Sequence, residues 1–311
     1  MSEIIRRSPL PKIPENWDPT VQTGLKVKTY SYFEYDEVSS ALNKAIRRGQ
    51  DYESLQFSIE GFLTNSHCKT NIWNRCLTIA LEDVGIANVD AISIIYNLSK
   101  IGNILALATS AVYISRSKKS RLDDWALHIK FSEEYSSESP EILKSKLSEN
   151  LKNRDLYRSI YYINSLFYTT QKVTGKYKNA QIKIWEVFLE MYPKNKYIQM
   201  LYELSMSQNW RWSGKGRLIH AHILHLIYYQ KVPDNVVVIE PEVKLTELVE
   251  GFKNRTNPLL GIPDYALDKH TAKGRSLGRD IKHFLEDGAL LINEAEEYKE
   301  QSLKYLQMCR F

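Results

Sequence analysis

The stretch that decides the fold is Cys76-Leu-Thr-Ile-Ala-Leu-Glu-Asp-Val-Gly-Ile-Ala-Asn88, in the first third of the chain. Its apolar residues continue a helical spacing that begins upstream and places a common set on one face: Ile72, Trp73, Cys76, Ile79 and Ala80. Gly85 predicts the end of the helix, because glycine adopts the left-handed conformation of a C-cap at little cost. We therefore predict a helix over residues 70–82 that Thr70 caps and that buries an apolar stripe.

The acidic pair before that glycine, Glu82 and Asp83, occupies an unfavourable place in the helix. Carboxylates near a helix C-terminus oppose the helix dipole, so they need a nearby cation to be stable there. The candidates are Arg47, Arg75 and a residue of a neighbouring subunit. The sequence does not choose among them, and we expect one of them to pair with the two carboxylates.

Helical patterns surround this stretch on both sides. We predict helices over residues 36–48 with Asp36 as the cap, from Asp51, from Asp90 through Leu98 and over residues 102–115. The last of these is apolar on most sides, so it should form the buried centre of a bundle. The chain has only 13 glycines and 10 prolines, which favours long helices over a fold with many β-turns. One strand candidate at residues 236–239 does not change the prediction of an all-α fold.

The composition divides the chain into three parts. Residues 1–33 carry prolines among basic residues and predict an extended arm. Residues 34–135 form the helical bundle, and a Ser/Glu-rich stretch marks its boundary. A second, mainly α-helical domain then spans residues 136–311, and its first helix is predicted to have Ser139 as cap and Pro140 in its first turn.

Three blocks of the bundle resemble a known family, in the same order. They are Ser40-Ala-Leu-Asn-Lys-Ala-Ile-Arg-Arg-Gly49, Arg75 through Asn88, and Ala111-Val-Tyr-Ile-Ser-Arg-Ser-Lys-Lys-Ser120. Together they are similar to the helical C-terminal region of the MgsA/RarA family of AAA+ replication-associated recombination proteins, which are kin to clamp loaders. That region mediates tetramer assembly in the family, so the resemblance implies self-association through the residues that match its motifs: Lys44, Arg47, Arg75, Glu82, Asp83, Gly85, Lys119 and Ser120.

The ATPase motif of that family is absent from the sequence. A phosphate loop reads G-x-x-x-x-G-K-[ST], and its backbone N–H groups surround the phosphates. The nearest string, Ser213-Gly-Lys-Gly-Arg217, has the wrong spacing and follows no strand pattern. The resemblance therefore implies the oligomerisation region without the motor. We expect no ATP hydrolysis and no cofactor, and a separate ATPase subunit is a candidate partner.

The overall composition narrows the class of protein. With 43% hydrophobic and 25% charged residues the chain is globular, and its formal charge of +5 permits nucleic-acid binding without requiring it. Three scattered cysteines are too few for a disulfide framework or a zinc site. The N-terminus lacks the apolar core of a signal peptide, and no run is long enough to span a membrane. We expect a soluble protein of a reducing intracellular compartment, the cytoplasm or nucleus, with no membrane partner and no bound metal.

The densest polar cluster lies in residues 263–283. Its glycines let a backbone approach an anion closely, and the candidate phosphate-binding residues are Lys269, His270, Thr271, Lys273, Arg275 and Arg279. Thr271 would cap a helix whose N-terminal amides point at the same anion. The alternative, a capped helix with a solvated basic face, stays equally open. Asp268 and His270 form either an acid–base pair or a structural hydrogen bond, and we expect the structural role.

A second candidate surface is the loop at residues 209–217, where indoles alternate with cations. The residues that suit single-stranded nucleic acid are Trp210, Arg211, Trp212, Lys215 and Arg217, since aromatic rings stack on bases and cations pair with phosphates. In the alternative, which we favour, the two indoles anchor the loop to the core. His220, His222 and His225 on the next helix lack a further metal ligand, so we expect core or interface histidines.

These patterns leave three classes of function open. The first, which we favour, is a non-catalytic helical protein that self-associates and binds DNA or the proteins of DNA replication and repair. The second is an enzyme that acts on nucleic acid or a nucleotide through residues 263–283, although no nucleophile or metal constellation accompanies that segment. The third is a structural scaffold that binds no nucleic acid.

Overall fold

The computed structural model describes residues 5–174, 177–207 and 216–309. Side chains are described for all of these residues except 170–174 and 177–180. In this part of the chain the regular structure consists of fifteen α-helices and six short 3₁₀ or π segments, and it contains no β-strand. The all-α prediction is confirmed. Among the described helices, none is long and apolar enough to cross a membrane.

The α-helices are numbered in chain order. They are α1 (Tyr35–Arg47), α2 (Asp51–Phe62), α3 (Ser66–Ile79), α4 (Ala91–Ile101), α5 (Ile104–Arg116), α6 (Leu122–His128), α7 (Pro140–Lys152), α8 (Leu156–Thr174), α9 (Tyr177–Met191), α10 (Lys196–Met206), α11 (Gly216–Tyr228), α12 (Thr246–Lys253), α13 (Ala272–Ser276), α14 (Ile281–His283) and α15 (Glu296–Met308).

The chain forms two compact units that interleave along the sequence. Unit 1 comprises Met1–Ile79, Ile94–Lys119 and Val238–Glu294, and unit 2 comprises Ala80–Ser93, Ser120–Val237 and Ala295–Phe311. This grouping differs from the two consecutive domains, 34–135 and 136–311, expected from the sequence. The chain returns to unit 1 after Val237.

The predicted strand at residues 236–239 is wrong. These residues have no pairing strand, and the Val237 backbone instead makes two 3.3 Å hydrogen bonds with the Ser93 hydroxyl. A run of β-branched residues favours an extended backbone, but a strand also needs a neighbouring backbone to complete its hydrogen bonds. The β-branched run did not show that a pairing strand was missing.

Unit 1 is built around α5, which is buried along most of its length, as predicted. An apolar cluster lies between α2, α5 and the 245–252 segment and consists of Leu55, Ile59, Ala108, Val112, Leu245, Val249 and Phe252. Each large side chain of this kind stabilises the fold by about 1.5–3 kcal/mol when it leaves water. This core gives α1, which packs on α2 and α5, a rigid support.

Two of the predicted helix caps are wrong. Asp36 does not cap α1, because the helix already begins at Tyr35. Thr70 lies inside α3, which starts at Ser66, and Asn65 Oδ1 accepts the capping hydrogen bond from a backbone N–H at 2.8 Å. The Ser139 cap of α7 is confirmed. Caps depend on where the first turn forms, and several polar residues near one helix start can each serve.

Unit 2 contains α6 to α11 and α15, around large buried side chains that include Trp185, Phe188 and Tyr197. The stretch that decided the fold enters this unit after Ile79. There the helix does not stop cleanly: it passes into a π-helical turn, Ala80–Val84, and then into a 3₁₀ turn, Gly85–Asn88. π-Turns of this kind are frequent at functional or strained positions.

Candidate functional site

A buried ion pair in unit 1 joins α1 to the 263–288 segment. The Lys44 ammonium lies 2.7 Å from Asp268 Oδ2, and the two side chains are 3% and 0% exposed. The same ammonium donates a 2.7 Å hydrogen bond to Ser40 Oγ, one helical turn earlier. Burial, together with the charge of Arg47, lowers the pKa of Lys44 to about 8, although Asp268 favours the charged form. A residue of the family-like block thus contacts the basic segment.

Asp268 also holds His270. Its Oδ1 accepts a 2.9 Å hydrogen bond from the His270 backbone N–H and lies 3.0 Å from His270 Nδ1. Burial by itself would raise the pKa of Asp268, but the His270 hydrogen bonds and the Lys44 charge hold that pKa well below its usual range. The His270 side chain is 51% exposed. The buried carboxylate therefore orients an imidazole at the surface.

The ring of Phe284 lies among the cations of this site. Its centroid is 5.8 Å from Lys44 Nζ, 5.6 Å from the Arg47 guanidinium and 5.3 Å from Lys269 Nζ. The His270 ring packs edge-on against it at 5.0 Å. Cations are attracted to the face of an aromatic ring. We call the set formed by Lys44, Arg47, Asp268, Lys269, His270 and Phe284 the Phe284 centre.

Three cations beside this centre have no carboxylate partner in the described part of the chain: Lys269, Lys273 and Arg275. Lys273 Nζ lies 3.2 Å from Ser8 Oγ, and Arg275 donates a 3.1 Å hydrogen bond to the Lys269 carbonyl. Arg279 differs, because it donates two 2.8 Å hydrogen bonds to the Asp264 carboxylate. Of the predicted set, Arg279 thus stabilises the segment. The other three cations form no ion pair in the described part of the chain, although the charge of Lys273 opposes the burial that raises the pKa of Glu37.

Thr271 caps α13 as predicted, with its hydroxyl accepting from the Gly274 N–H at 2.9 Å. The prediction that its N-terminal amides bind an outside anion is wrong for the first of them, because the Ala272 N–H donates to Asp36 Oδ2 at 2.7 Å. The helix is also only five residues long, so its dipole is small. Position 274 requires glycine for a steric reason, because a Cβ there would lie 1.9 Å from the Asp268 carbonyl oxygen. Only glycine permits so close an approach of two backbone segments.

In unit 2, Arg121 is a partner of the acidic pair. The guanidinium lies 3.2 Å from Glu82 Oε1 and 3.4 Å from Asp83 Oδ1, and it also pairs with Asp124. Arg121 was not among the expected partners. Arg47 donates to the Gly288 carbonyl in unit 1 at 3.0 Å, and Arg75 has no carboxylate partner in the described part of the chain. The Ser120 N–H donates to the Asp83 carbonyl at 2.9 Å. This hydrogen bond holds the backbone just before Arg121 against the π-helical turn that carries the acidic pair.

Asp123 lies in α6 and binds two histidines of α11. Its carboxylate oxygens lie 2.8 Å from His222 Nδ1 and 2.5 Å from His225 Nδ1, and all three side chains are at most 1% exposed. His222 Nε2 contacts the Tyr197 hydroxyl at 3.1 Å. Burial would raise the pKa of Asp123, but the two histidines lower it to about 2. We call Asp123, His222, His225 and Tyr197 the Asp123 centre.

Gly85 of the family-like motif lies directly against that centre. Its φ is +48°, and a Cβ at this position would stand 2.7 Å from Asp123 Oδ2. Both the left-handed backbone and the close carboxylate favour glycine here. The prediction that Gly85 ends the helix is thus accompanied by a second role, close packing on a buried carboxylate, which the sequence did not indicate.

Two further residues of the family-like motifs, Lys119 and Ser120, are buried as well. Lys119 in unit 1 is 0% exposed and donates 2.8 Å hydrogen bonds to the carbonyls of Ile114 and Ser115 and another to Ser117. It therefore caps the C-terminus of α5, where a cation also complements the helix dipole. Ser120 is 1% exposed. Neither side chain is available to DNA.

The tryptophan loop lies mostly outside the described residues: Trp210, Arg211, Trp212 and Lys215 belong to the segment that is not described. Arg217 is described, and its guanidinium lies 2.5 Å from Asn164 Oδ1 in unit 2. His220 is fully buried among aromatic rings, and burial lowers its pKa to about 3. The expectation of core histidines is confirmed for the helix. In the described part of the chain, no group of three His, Cys, Asp or Glu side chains could hold a metal ion.

No protein-family model, curated protein or solved structure matches this chain. Sequence reasoning missed Phe284 and Asp123, and it noted Arg121 only as part of a basic cluster and not as a partner of the acidic pair. A faint signal existed for Arg121, which stands in a basic cluster with Lys118 and Lys119, but isolated Phe and Asp residues carry no pattern of their own.

Proposed function

We propose that this chain is a helical accessory protein that binds the phosphate backbone of nucleic acid through the surface of residues 269–275. The observation that carries the proposal is the unpaired state of Lys269, Lys273 and Arg275 among the described residues. Other cations of unit 1, such as Arg7 and Arg48, are matched by Glu53 and Asp287. Unpaired cations gain most from phosphate, because binding releases the counterions of the nucleic acid.

The Phe284 centre supports this proposal by giving the cationic turn a rigid base. Lys44 and Asp268 hold the turn from within, and Gly274 packs its backbone directly on residue 268. Contacts to phosphate position a protein on nucleic acid without reading its sequence. We therefore expect binding that depends on salt and discriminates little between sequences.

The test is the salt dependence of DNA binding by a triple variant, Lys269→Gln with Lys273→Gln and Arg275→Gln. Removing three phosphate contacts should reduce the slope of log K against log salt by about 2–3. Fluorescence anisotropy with a labelled oligonucleotide at several salt concentrations measures that slope.

A matched control removes three cations of unit 2, Lys152→Gln with Lys194→Gln and Lys196→Gln, which are exposed and have no ion pair in the described part of the chain. Both variants lose the same net charge, so a difference between them isolates the place of the charges. Equal slopes for the two variants would contradict the proposal.

Self-association and the partners in DNA replication and repair, including a separate ATPase, complete the proposed function. Their support is the resemblance of residues 34–120 to the MgsA/RarA C-terminal region. Mass measurement by light scattering over a range of protein concentrations tests the tetramer that the resemblance implies. A single monomer mass at every concentration would remove this part and leave the DNA-binding part untouched.

The second candidate is an enzyme of nucleic acids or nucleotides that uses His270 as an acid or base. The specific observation is the Asp268–His270 pair, in which a buried carboxylate orients an exposed imidazole. The variant His270→Gln should abolish turnover of a nucleotide or oligonucleotide substrate while leaving DNA affinity within about twofold. Absence of turnover by the unaltered protein across such substrates would exclude this candidate.

A further inference from the structure

A cluster of aromatic side chains lies at the surface of unit 2, and we call it the tyrosine groove. It consists of Phe131, Tyr135, Tyr157, Tyr161 and Tyr168. The Phe131 centroid lies 4.8 Å from that of Tyr157 and 5.2 Å from that of Tyr161, and Tyr135 and Tyr168 are 5.7 Å apart. Tyr157 and Tyr168 are 37% and 47% exposed. Phe131 and Tyr135 are half-buried and Tyr161 is buried. Aromatic rings are usually buried for their area, so the two exposed rings at the edge of this cluster indicate a contact surface.

The groove opens on a cavity of about 750 Å³. Phe131, Tyr135 and Tyr168 line one part of it, and Glu133, Glu134 and Lys130 line the rest. Glu133 pairs with Arg158 at 2.5 Å, whereas Glu134 has no ion pair in the described part of the chain. The cavity thus combines aromatic faces with an unpaired carboxylate. Although Lys130 balances the net charge of the lining, Glu134 offers a carboxylate to the cation of an apolar peptide.

A peptide of that chemistry lies at the N-terminal end of the same chain, at residues 9–14: Pro-Leu-Pro-Lys-Ile-Pro. We call it the proline segment. Leu10 is 51% exposed, and Lys12 is exposed without an ion pair in the described part of the chain. The segment is held from both sides, since the Ser8 N–H donates to Ile262 at 2.8 Å and Trp17 Nε1 donates to Thr29 at 2.9 Å.

We propose that the tyrosine groove of one copy of this chain binds the proline segment of a second copy. Prolines restrict the backbone to extended, polyproline-II-like conformations, so the segment loses little entropy on binding. Aromatic-lined grooves recognise such segments, with the proline rings lying against the aromatic faces. Lys12 then approaches Glu134, the unpaired carboxylate of the cavity. The inference rests on the self-association part of the proposed function and not on the DNA-binding part.

Each copy carries both a tyrosine groove and a proline segment, so the number of copies in the assembly depends on how the segments are exchanged. If two copies exchange their segments reciprocally, the contact closes into a dimer, and two such dimers give a tetramer. The exchanged contact adds to the avidity of the assembly because both ends bind at once.

The experiment uses a fluorescently labelled peptide with the sequence of residues 5–16 and the full-length protein, followed by anisotropy. We expect saturable binding, weakened at least tenfold by Tyr135→Ala with Tyr168→Ala and at least tenfold by serine in place of Pro11 and Pro14 in the peptide. Tyr228→Ala is the matched protein control, since Tyr228 is 40% exposed and lies outside the groove cluster. A scrambled peptide of the same composition is the peptide control.

The full chain supplies the second measurement. Leu10→Ser with Pro11→Ser should lower the mean mass in light scattering at a concentration where the unaltered protein self-associates. Equal binding of the scrambled peptide, or no peptide binding by a protein that does self-associate, would overturn the inference and leave the proposed function standing. A protein that stays monomeric would overturn the inference and the self-association part together, whereas DNA binding is measured separately.

Discussion

In unit 1, Asp268 binds Lys44 and His270; in unit 2, Asp123 binds His222 and His225. Both carboxylates are fully buried, and each accepts contacts from two basic side chains. The difference lies in the last group of each set. His270 is 51% exposed, whereas both histidines on Asp123 are at most 1% exposed.

This comparison shows how one kind of interaction serves two purposes. A buried carboxylate with only buried partners stabilises a core, because none of its groups meets solvent. The same carboxylate with one exposed partner carries the rigidity of the core to the surface. We therefore expect changes at Asp123 to affect stability alone, and changes at Lys44 or Asp268 to affect stability and binding together.

The largest expected effect belongs to Asp123→Ala. It leaves two buried imidazoles without their acceptor, and breaking a buried charged contact of this kind costs about 3–5 kcal/mol. Urea unfolding followed by circular dichroism should show that loss, and DNA affinity under folding conditions should not change. Asp234→Ala, at an exposed position without an ion pair in the described part of the chain, should stay within about 0.5 kcal/mol. If Asp123→Ala lowers the free energy of unfolding by less than about 1 kcal/mol, the Asp123 centre does not stabilise the core as the comparison states.

Next in size is Lys44→Met, which removes one of the two partners of Asp268. We expect a loss of about 3 kcal/mol in the free energy of unfolding, the lower end for a broken buried pair, because His270 still donates to the carboxylate. DNA affinity should fall as well, since an unbalanced negative charge then lies beneath the cationic turn. The matched control is Lys304→Met, which removes one exposed cation of unit 2. If both variants lose the same DNA affinity, the Phe284 centre does not organise the surface.

The smallest effect is a dependence of stability on acid pH. Because the pKa of Asp123 is lowered from 3.8 to about 2, its stabilising contribution is present above pH 4 and is lost as the pH falls towards 2. A shift of this size corresponds to about 2 kcal/mol. Between pH 4 and pH 2 the unaltered protein should therefore lose about 2 kcal/mol more than Asp123→Asn, as measured by urea unfolding. Parallel pH profiles for the two proteins would place the titrating group elsewhere.

Local features of the fold were largely predictable from the sequence. The apolar stripe before Gly85, the burial of α5 and the caps at Ser139 and Thr271 all depend on residues within about one helical turn of one another. Such contacts form between near neighbours in the chain, so spacing alone reveals them. The caps at Asp36 and Thr70 failed because several polar residues stood near each helix start.

The sequence predicted two separate parts of the candidate site but not that they contact each other. The sequence indicated Lys44 as part of one block and Lys269, Lys273 and Arg275 as part of another. It did not indicate that Lys44 meets Asp268 more than two hundred residues later, or that Phe284 lies among these cations. Arg121 as a partner of Glu82 and Asp83 was missed for the same reason.

The sequence by itself determined the helical character of this protein, the turn at Gly85 and the cationic composition of residues 263–283, because these follow from the spacing and backbone preferences of adjacent residues. Only the tertiary structure decided which carboxylate each cation meets. That choice arises when burial removes water from both groups, and distance in space, not in sequence, then selects the partner. Within residues 269–275, Lys269, Lys273 and Arg275 form no ion pair in the described chain, and the proposed function depends on them.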